Sequence, residues 1–414
     1  MGDNAPYDVV RRNDRTGREM RVGQRRDFFS FLQAGLCALL MMTWVTSASA
    51  QIAFQTKAKY AILIDAKSGA TLYEKNADEL MSPASMSKLM TMTMVFEALK
   101  RKDLTLTDEF LVSENAWRSG GGSSGSSTMF AKLDSAVPLE DLIRGVIVQS
   151  GNDACIALAE GMYGTEAAFA EAMTVRARKL GLSKSTFTNA TGWPDEDHKM
   201  TARELAQLAR HIIYDLSDYY HYYSETEFTW NDIKQRNRNP LLYQNMGADG
   251  LKTGHTEESG YGLVGSAVQK GRRLIVVLNG LEKRKDRSTE TRKMMDWGFR
   301  SFKQFVLFDV DEEVGTASVW GGEKSEVKLM AKGRAMVSVQ QMARSSIKAK
   351  IVYEGPVRAP IKEGDRIGVL RVTADNQGPS EIPLYAAEDV GEGTDFRKAI
   401  DAVVSVITGN FAFE

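Results

Sequence analysis

Hydrophobic and polar positions change their period several times along this chain, and each change predicts an element. Tyr60–Asp65 and Ala70–Glu74 have strand character on either side of a polar Lys67-Ser68-Gly69 turn, which predicts a β-hairpin. Residues 86–100 are apolar nearly all round, as is typical of a buried central helix rather than a surface helix. A hairpin followed by a core helix is therefore expected at the start of the folded chain.

Helical periods dominate the middle of the chain, after a Gly- and Ser-rich stretch at 119–128 that predicts a loop. Helices are predicted over Leu139–Val148, from Asp153 onward and over Glu166–Leu180. Ser150-Gly151-Asn152 lies between the first two of these helices and separates them. A fourth helix begins after Thr201, whose spacing to Glu204 fits a capping box.

Strand character then returns. Leu251–Thr256, Tyr261–Gln269 and Leu274–Asn279 predict three strands, and a helix is expected from about Asp286 to Phe305. The order of strands, several helices, strands and a final helix predicts an α+β domain in which helices cover an antiparallel sheet.

The character changes again beyond about residue 312. Short β-rich pieces at 347–353, 366–373 and 381–386 alternate with Gly and Pro turns and predict a small β-sandwich. Phe396–Ile407 has apolar residues at helical spacing and predicts an amphipathic helix, for which membrane contact and simple packing are both open. The expected division is a first domain over 51–311, a β-rich domain over 312–390 and a terminal helical segment over 391–414.

The N-terminus has the pattern of an export signal. Arg25 and Arg26 precede the nearly continuous apolar run 28–45, and the small residues Ala48-Ser49-Ala50 follow it. We expect a signal peptide over 1–50, cut before Gln51, and hence a periplasmic protein; an uncleaved anchor is the alternative. Residues 1–19 are polar, and a start at Met20 would give a conventional signal.

Composition narrows the function. The chain has 414 residues, 43% hydrophobic and 26% charged, which is ordinary for a globular protein, and its net charge of -1 argues against a nucleic-acid binder. Four histidines show no metal-ligand spacing, so neither a metal nor another cofactor is predicted. Cys155 lies in an apolar run and is expected to be a small buried residue.

Three short motifs carry the candidate chemistry: Ser85-Met86-Ser87-Lys88, Ser150-Gly151-Asn152 and Lys252-Thr253-Gly254. Similar strings occur elsewhere, for example Ser325–Lys328 and Ser345–Lys348. Those lie in the β-rich tail, where residues three apart point to opposite faces, whereas Ser85 and Lys88 begin a helix and share a face.

These residue types in this order predict an acyl-transfer site. Ser85 is a poor nucleophile until a base removes its proton, and Lys88 can act as that base only when it is neutral. Burial and a second cation, Lys252, would both lower the pKa of Lys88. The start of a helix beside Ser85 favours a developing anion, and backbone N–H groups can form an oxyanion hole.

The residues around the motifs carry a family resemblance. Pro83–Lys88, Gln149–Ala154 and Lys252–Thr256 resemble those of D-alanyl-D-alanine carboxypeptidases, which are low-molecular-mass penicillin-binding proteins. The resemblance covers about residues 51–390. It implies the penicillin-binding-protein and β-lactamase type of sheet, followed by the β-sandwich. One departure is Lys132–Ser135, where the family usually has a glycine turn.

The resemblance also implies residue roles. Ser85 would be the acylated nucleophile and Lys88 its base, while Ser150 and Asn152 would relay protons and hold the substrate amide. The third motif and the residues near it would bind the substrate and stabilise the oxyanion. Lys252 and Thr253 would bind the terminal carboxylate, and Arg238 matches an arginine near the family's carboxylate site. Gly254 and His255 would belong to the same substrate-binding segment, and the N–H groups of Ser85 and His255 would form the oxyanion hole.

The expected function is removal of the terminal D-alanine from peptidoglycan pentapeptides, with β-lactams acylating the same serine. Three alternatives stay open: a β-lactamase, an endopeptidase that cuts cross-links, and a non-catalytic wall-binding scaffold. No Glu-x-x-Leu-Asn segment supports the first of these. Tyr219, Tyr220, Tyr222 and Tyr223 either line a glycan groove or pack internally.

Overall fold

The structure is a computed structural model that describes residues 54–375 and 377–408, with side chains described as far as residue 402. The predicted signal peptide over 1–50 lies outside these residues. Within them, no helix has both the length and the apolar character needed to cross a membrane.

The first unit alternates strands and helices. In chain order its elements are β1 (Tyr60–Asp65), β2 (Thr71–Lys75), α1 (Lys88–Arg101), β3 (Glu109–Leu111), α2 (Glu114–Gly120), β4 (Ala136–Pro138), α3 (Leu139–Arg144), α4 (Asn152–Tyr163), α5 (Glu166–Lys179), α6 (Ala202–Asp215), α7 (Ser217–Tyr220), β5 (Glu227–Trp230), β6 (Ile233–Arg236), β7 (Ala248–Thr256), β8 (Gly260–Gln269), β9 (Arg272–Leu281) and α8 (Arg284–Ser301).

A five-stranded antiparallel sheet organises this unit, in the order β2-β1-β9-β8-β7. Successive strand side chains point to opposite faces. Ile62 therefore belongs to a buried cluster that includes Phe96 of α1 on one face, and Leu63 belongs to a cluster that includes Met294 of α8 on the other. Helices cover both faces, so the predicted α+β architecture, its hairpin and its three later strands are confirmed. The β5–β6 hairpin was not predicted.

Helix α3 continues into a single π-helical turn, Gly145–Gln149. Ser150 follows in the left-handed conformation, with φ of 61°, and α4 begins two residues later at Asn152. The predicted interruption between two helices is confirmed. Isolated π turns of this kind are frequent at functional sites because they redirect the side chains beside them.

The predicted capping box at α6 is half formed. Thr201 Oγ1 accepts a hydrogen bond from the N–H of Glu204 at 3.1 Å, as expected for an N-cap. The Glu204 carboxylate accepts instead from the N–H of Lys184 and the hydroxyl of Ser185. This side chain therefore ties a preceding loop to α6 rather than closing the box.

The C-terminal unit is mainly β-structure around its own core. In chain order its elements are β10 (Phe302–Phe308), β11 (Glu313–Trp320), β12 (Glu326–Ala331), β13 (Ala335–Gln340), β14 (Lys348–Tyr353), β15 (Val357–Arg358), β16 (Arg366–Ala374), β17 (Gln377–Ala386) and α9 (Asp395–Thr408). One sheet has the order β14-β16-β17-β12-β11-β15, and a second pairs β10 with β13. This agrees with the predicted β-rich domain.

The last helix of the first unit is shorter than predicted. It ends at Ser301 rather than near Phe305, because Phe302 turns to an extended conformation and opens β10. Its ring is buried against Trp297, and its backbone pairs with Gln340. Since Phe308 belongs to the C-terminal core, we propose a domain boundary near residue 301 instead of 311.

A buried carboxylate joins the two units. Asp65, fully buried at the end of β1, accepts hydrogen bonds from Arg272 of the same sheet and from Ser338 and Gln304 of the C-terminal unit. Burial alone would raise the pKa of Asp65, but its hydrogen bonds and the Arg272 charge together lower it. The contact between the units is therefore polar as well as apolar.

Candidate active site

Ser85 lies in a short 3-10 helix, Ala84–Ser87, that leads directly into α1. A 3-10 helix has three residues per turn, so side chains at i and i+3 stand above one another. Lys88, the first residue of α1, accordingly places its Nζ 2.9 Å from Ser85 Oγ. The α-helix begins at Lys88 rather than at residue 86, because the tighter turn occupies the positions before it.

Lys88 is buried and has an acceptor for each of its three possible N–H donors. Besides Ser85 Oγ, its Nζ donates to Asn152 Oδ1 at 2.7 Å and to the carbonyl oxygen of Thr191. Burial, with a smaller contribution from the charge of Arg238, lowers the pKa of Lys88 to about 8. At neutral pH roughly one Lys88 in ten is then uncharged, against less than about one in a thousand for an ordinary lysine.

Lys252 and Ser150 form the opposite wall of the site. Lys252 Nζ donates to Ser150 Oγ at 2.7 Å, and both side chains are buried. Burial lowers the pKa of Lys252 well below its usual value, and the charge of Lys88 lowers it further. Two ammonium groups in one enclosed site disfavour each other's charge. The predicted effect of Lys252 on the pKa of Lys88 stays a prediction, since the cation that lowers the Lys88 pKa besides burial is Arg238.

Asn152 connects the first motif to the segment before β4. Its Oδ1 accepts from Lys88, and its Nδ2 donates to Ser126 Oγ at 3.1 Å. The N–H of Asn152 also donates to the carbonyl oxygen of Ser127. Residues 119–128, predicted as a loop, are partly helical: α2 reaches Gly120, and Gly122–Ser124 forms a 3-10 turn.

Asp153 holds this segment against the site and was not identified from the sequence. Its buried carboxylate accepts from Thr128 Oγ1, from the N–H of Met129 and from the N–H of Ala131. The adjacent Lys132–Ser135 turn, which departs from the family pattern, is closed by Asp134 in the left-handed conformation with φ of 58°. An aspartate is among the few residues that tolerate this geometry in place of glycine.

Two arginines add positive charge to the site. Arg238 is exposed and donates to Ser127 Oγ, and partial desolvation of its guanidinium together with the charge of Arg284 lowers its pKa. Arg287, from the first turn of α8, was not predicted as a site residue, because the sequence around it contains no motif that points to a functional role. It is buried, its Nε has no hydrogen-bond partner among the residues that the structure describes, and its guanidinium lies 5.8 Å from the centre of the Tyr261 ring. Such a group is suited to an anionic ligand.

The end of β7 lies against the turn that contains Ser85. A Cβ placed on Gly254 would be 2.9 Å from the carbonyl oxygen of Pro83, so only glycine permits this approach. Thr253 is nearly buried, and the His255 ring stacks on Tyr261 at 3.9 Å. All nine predicted site residues thus belong to segments that converge on this region. The oxyanion-hole role of the Ser85 and His255 N–H groups stays a prediction.

The other candidate groups are structural. Burial raises the pKa of Cys155 to about 12, so its thiol stays protonated. Tyr222 and Tyr223 are buried, and both pack on Phe96, which favours internal packing over a glycan groove. Across residues 54–375 and 377–408, no group of three or more His, Cys, Asp or Glu side chains is arranged to hold a metal ion.

Comparison with known proteins agrees with this geometry. The family model described as D-alanyl-D-alanine carboxypeptidase matches residues 45–282. The chain belongs to this family of serine peptidases. A second model, the C-terminal domain of penicillin-binding protein 5, matches residues 302–392 of this carboxypeptidase-family chain.

Individual relatives cover between 60% and 91% of the chain. D-alanyl-D-alanine carboxypeptidase DacC of Escherichia coli is 38% identical over 385 residues, which is 91% of this chain and 96% of that protein. The crystal structure of penicillin-binding protein 5 from Haemophilus influenzae is 38% identical, with a TM-score of 0.73 over 82% of this chain and 99% of its own. Penicillin-binding protein D2 from Listeria monocytogenes, solved in an ampicillin-bound form, is 30% identical with a TM-score of 0.52, over 60% and 99%.

Proposed function

We propose that this family member removes the terminal D-alanine from peptidoglycan pentapeptides through an acyl-enzyme on Ser85. The observation that carries the proposal is the 2.9 Å contact between Lys88 Nζ and Ser85 Oγ, inside a buried site that Lys252 and Ser150 close from the other side. A hydroxyl beside an amine with a lowered pKa is an activated nucleophile.

Acylation begins when neutral Lys88 takes the proton of Ser85 Oγ. The oxygen attacks the carbonyl carbon of the penultimate D-alanine, and the N–H groups of Ser85 and His255 stabilise the resulting oxyanion. As the C–N bond breaks, Ser150 relays to the leaving nitrogen the proton that Lys88 took from Ser85, so that D-alanine departs and Lys88 is neutral again. Water then attacks the Ser85 ester, which releases the shortened peptide and regenerates the hydroxyl.

The substrate carboxylate explains why Lys252 is kept in a site that disfavours its charge. Lys252, Thr253, Gly254 and Arg238 surround the place we assign to the terminal carboxylate of D-alanine. An anion beside Lys252 raises the pKa of its amine again, because opposite charges favour the ionised forms of both groups. Asn152, held by Lys88 and Ser126, orients the substrate amide.

β-Lactams acylate the same serine in this proposal, since their ring amide presents a strained carbonyl to Ser85. The ampicillin-bound form of penicillin-binding protein D2 supports the assignment by similarity. The test is labelling with fluorescent penicillin. Ser85→Ala should abolish the label, whereas Ser345→Ala, which removes the serine of a second Ser-x-x-Lys string, should keep it. Persistent label on the Ser85 variant refutes the assignment.

Product analysis separates the alternatives. Free D-alanine from a pentapeptide indicates a carboxypeptidase, cleavage of dimeric muropeptides indicates an endopeptidase, and rapid nitrocefin turnover indicates a β-lactamase. Full complementation of a deletion strain by the Ser85→Ala protein would favour a scaffold. We expect D-alanine release as the main activity of the wild-type protein, and its absence would contradict the proposed function.

Export and membrane contact belong to the same proposal: a periplasmic protein whose α9 lies on the outer face of the inner membrane. The polar side of α9 faces the C-terminal unit, since Asp401 Oδ2 accepts from the N–H of Gly321. Phe396 and Ile400 remain 78% and 48% exposed on the other side. Phe396→Glu with Ile400→Glu should abolish sedimentation with anionic lipid vesicles, while the exposed Met342→Glu should not. Equal sedimentation of both variants contradicts lipid contact.

A further inference from the structure

The strand that contains Lys252 has an irregular start. Ala248 pairs with Ala267 and Gly250 with Ser266, so Asp249 is an extra residue, which makes a β-bulge. From Gly250 to Thr256 the register with β8 is regular, and it pairs Lys252 with Val264. Because strand side chains alternate between faces, the extra residue decides which face Lys252 occupies.

Residues of two elements, α7 and β9, hold the Asp249 side chain at the bulge. The hydroxyl of Tyr220, at the end of α7, donates to Asp249 Oδ1 at 2.8 Å. Arg273, on β9, donates to both carboxylate oxygens, at 2.8 and 2.7 Å, and also to Ser266 Oγ on the intervening strand. A bidentate guanidinium–carboxylate pair fixes direction as well as distance. Burial and the Asp249 charge raise the pKa of Tyr220, so its hydroxyl stays a donor.

Glycines on either side of Lys252 make its position depend on the bulge. A Cβ at Gly250 would lie 2.8 Å from Tyr220 Oη and 3.2 Å from Tyr223 Cβ, and one at Gly254 would lie 2.9 Å from the carbonyl oxygen of Pro83. Gly250, Lys252 and Gly254 share one face of β7. Lys252 is thus fixed between two close contacts, one beside the Asp249 network and one at the turn of Ser85.

We propose that Asp249 is a positioning residue that holds Lys252 Nζ at Ser150 Oγ by fixing the β-bulge at the start of β7. Asp249 does not touch Ser85 or Lys88; it acts through the register and direction of Lys252. The inference rests on the proposed function, because acylation of Ser85 is the activity that reports the position of Lys252.

A double-mutant cycle tests this role. The second-order rate constant for labelling by fluorescent penicillin is measured for wild type, Asp249→Asn, Lys252→Ala and the double variant. We expect Asp249→Asn to lower the rate constant at least tenfold alone but less than twofold in the Lys252→Ala background, because residues that act as one unit are non-additive. An equal loss in both backgrounds, or a loss below twofold in the wild-type background, overturns the proposal.

Two further measurements keep the test decisive. Tyr220→Phe removes a single hydrogen bond from Asp249 and should lower the rate constant in the same direction by a smaller factor, even if Asp249→Asn folds poorly. A crystal structure of either variant should show Lys252 Nζ beyond hydrogen-bonding distance of Ser150 Oγ, and an unchanged contact overturns the proposal. This structural outcome decides the question even if the Lys252→Ala protein is acylated too slowly for the double-mutant cycle.

A matched control separates positioning from loss of stability. Glu97→Gln weakens another bidentate pair of the same unit, formed with Arg176 at 2.7 Å through each oxygen, at the far end of α1. It should lower the melting temperature while the labelling rate stays within twofold of wild type. If the wild-type protein fails to label at Ser85, the proposed function itself is refuted. If the wild-type protein labels and the Asp249 variant labels equally well, only the positioning role of Asp249 is refuted.

Discussion

Lys252 Nζ and Ser150 Oγ lie 2.7 Å apart, although 102 residues separate them in the sequence. Lys252 comes from the edge strand of the sheet, and Ser150 follows a π-helical turn in the left-handed conformation. Two irregular features of the backbone, the β-bulge at the start of β7 and the π-helical turn before Ser150, therefore lie on either side of this contact. Together with the Ser85–Lys88 pair, it gives the site its two walls.

Loss of the Lys252 amine should weaken substrate binding. We expect Lys252→Ala to lower kcat/KM for a pentapeptide by about 10- to 100-fold, since a hydrogen bond to a charged group is worth about 1.5–3 kcal/mol. Release of D-alanine measures this. Lys67→Ala, which alters the exposed Lys67-Ser68-Gly69 string, is the control and should stay at the wild-type rate. A loss shared by both variants would count against the role of Lys252.

The rate of acylation should rise with pH. Lys88 acts as a base only when neutral, and its pKa is about 8, so labelling by a β-lactam should increase from pH 6 and level off above pH 8 to 9. Arg238→Gln removes a cation that lowers the pKa of Lys88, so the midpoint should move to higher pH. A profile that is flat from pH 6 to 9 would rule out Lys88 as the base.

His211 should stabilise the fold most at mildly acidic pH. Its ring lies 3.0 Å from Glu97 Oε1 and 2.7 Å from Asp215 Oδ2, and the hydrogen bond to Glu97, followed by the other carboxylate contacts, raises its pKa above the usual 6.5 despite burial. The protonated form is favoured by folding. Its contribution is complete below the unfolded pKa and disappears as the pH rises through the folded pKa.

The corresponding measurement is the free energy of unfolding of His211→Gln against wild type. We expect a loss of about 1–2 kcal/mol at pH 6 and a smaller loss at pH 9. His221→Gln is the control, since that ring contacts only the backbone oxygen of Asp218 among the hydrogen bonds described for it. A loss for His211→Gln that grows with pH would reverse the assigned sign.

Removal of the Asp65 carboxylate should loosen the joint between the units. Asp65→Ala leaves the largely buried Arg272 without its carboxylate partner, and breaking a buried pair in this way costs about 3–5 kcal/mol. Denaturant unfolding should show this loss, and limited proteolysis should cut near residue 301. Glu381→Ala removes the exposed pair with Arg371 and should cost less than about 1 kcal/mol. Equal losses would contradict a special role for Asp65.

Local patterns in the sequence identified the elements whose periodicity is strong. The apolar run in Tyr60–Asp65 and the apolar run after Ser85 each predicted one element, because burial on both faces of a strand or all round a helix leaves a direct trace in residue order. Phe302 shows the limit: its segment continues the helical pattern of α8, but pairing with β13 and burial against Trp297 favour a strand. Local propensity does not contain that partner.

The sequence by itself determined the chemistry of this protein: a serine three residues before a lysine at the start of a helix, with two further motifs in a fixed order. Only the tertiary structure decided that Asp153 fixes the adjoining segment, that Arg287 adds a buried cation, and that a bulge at Asp249 directs Lys252 toward Ser150. Residue types can be read directly from the sequence. Distances between residues a hundred positions apart depend on sheet register and core packing, which local sequence patterns do not specify.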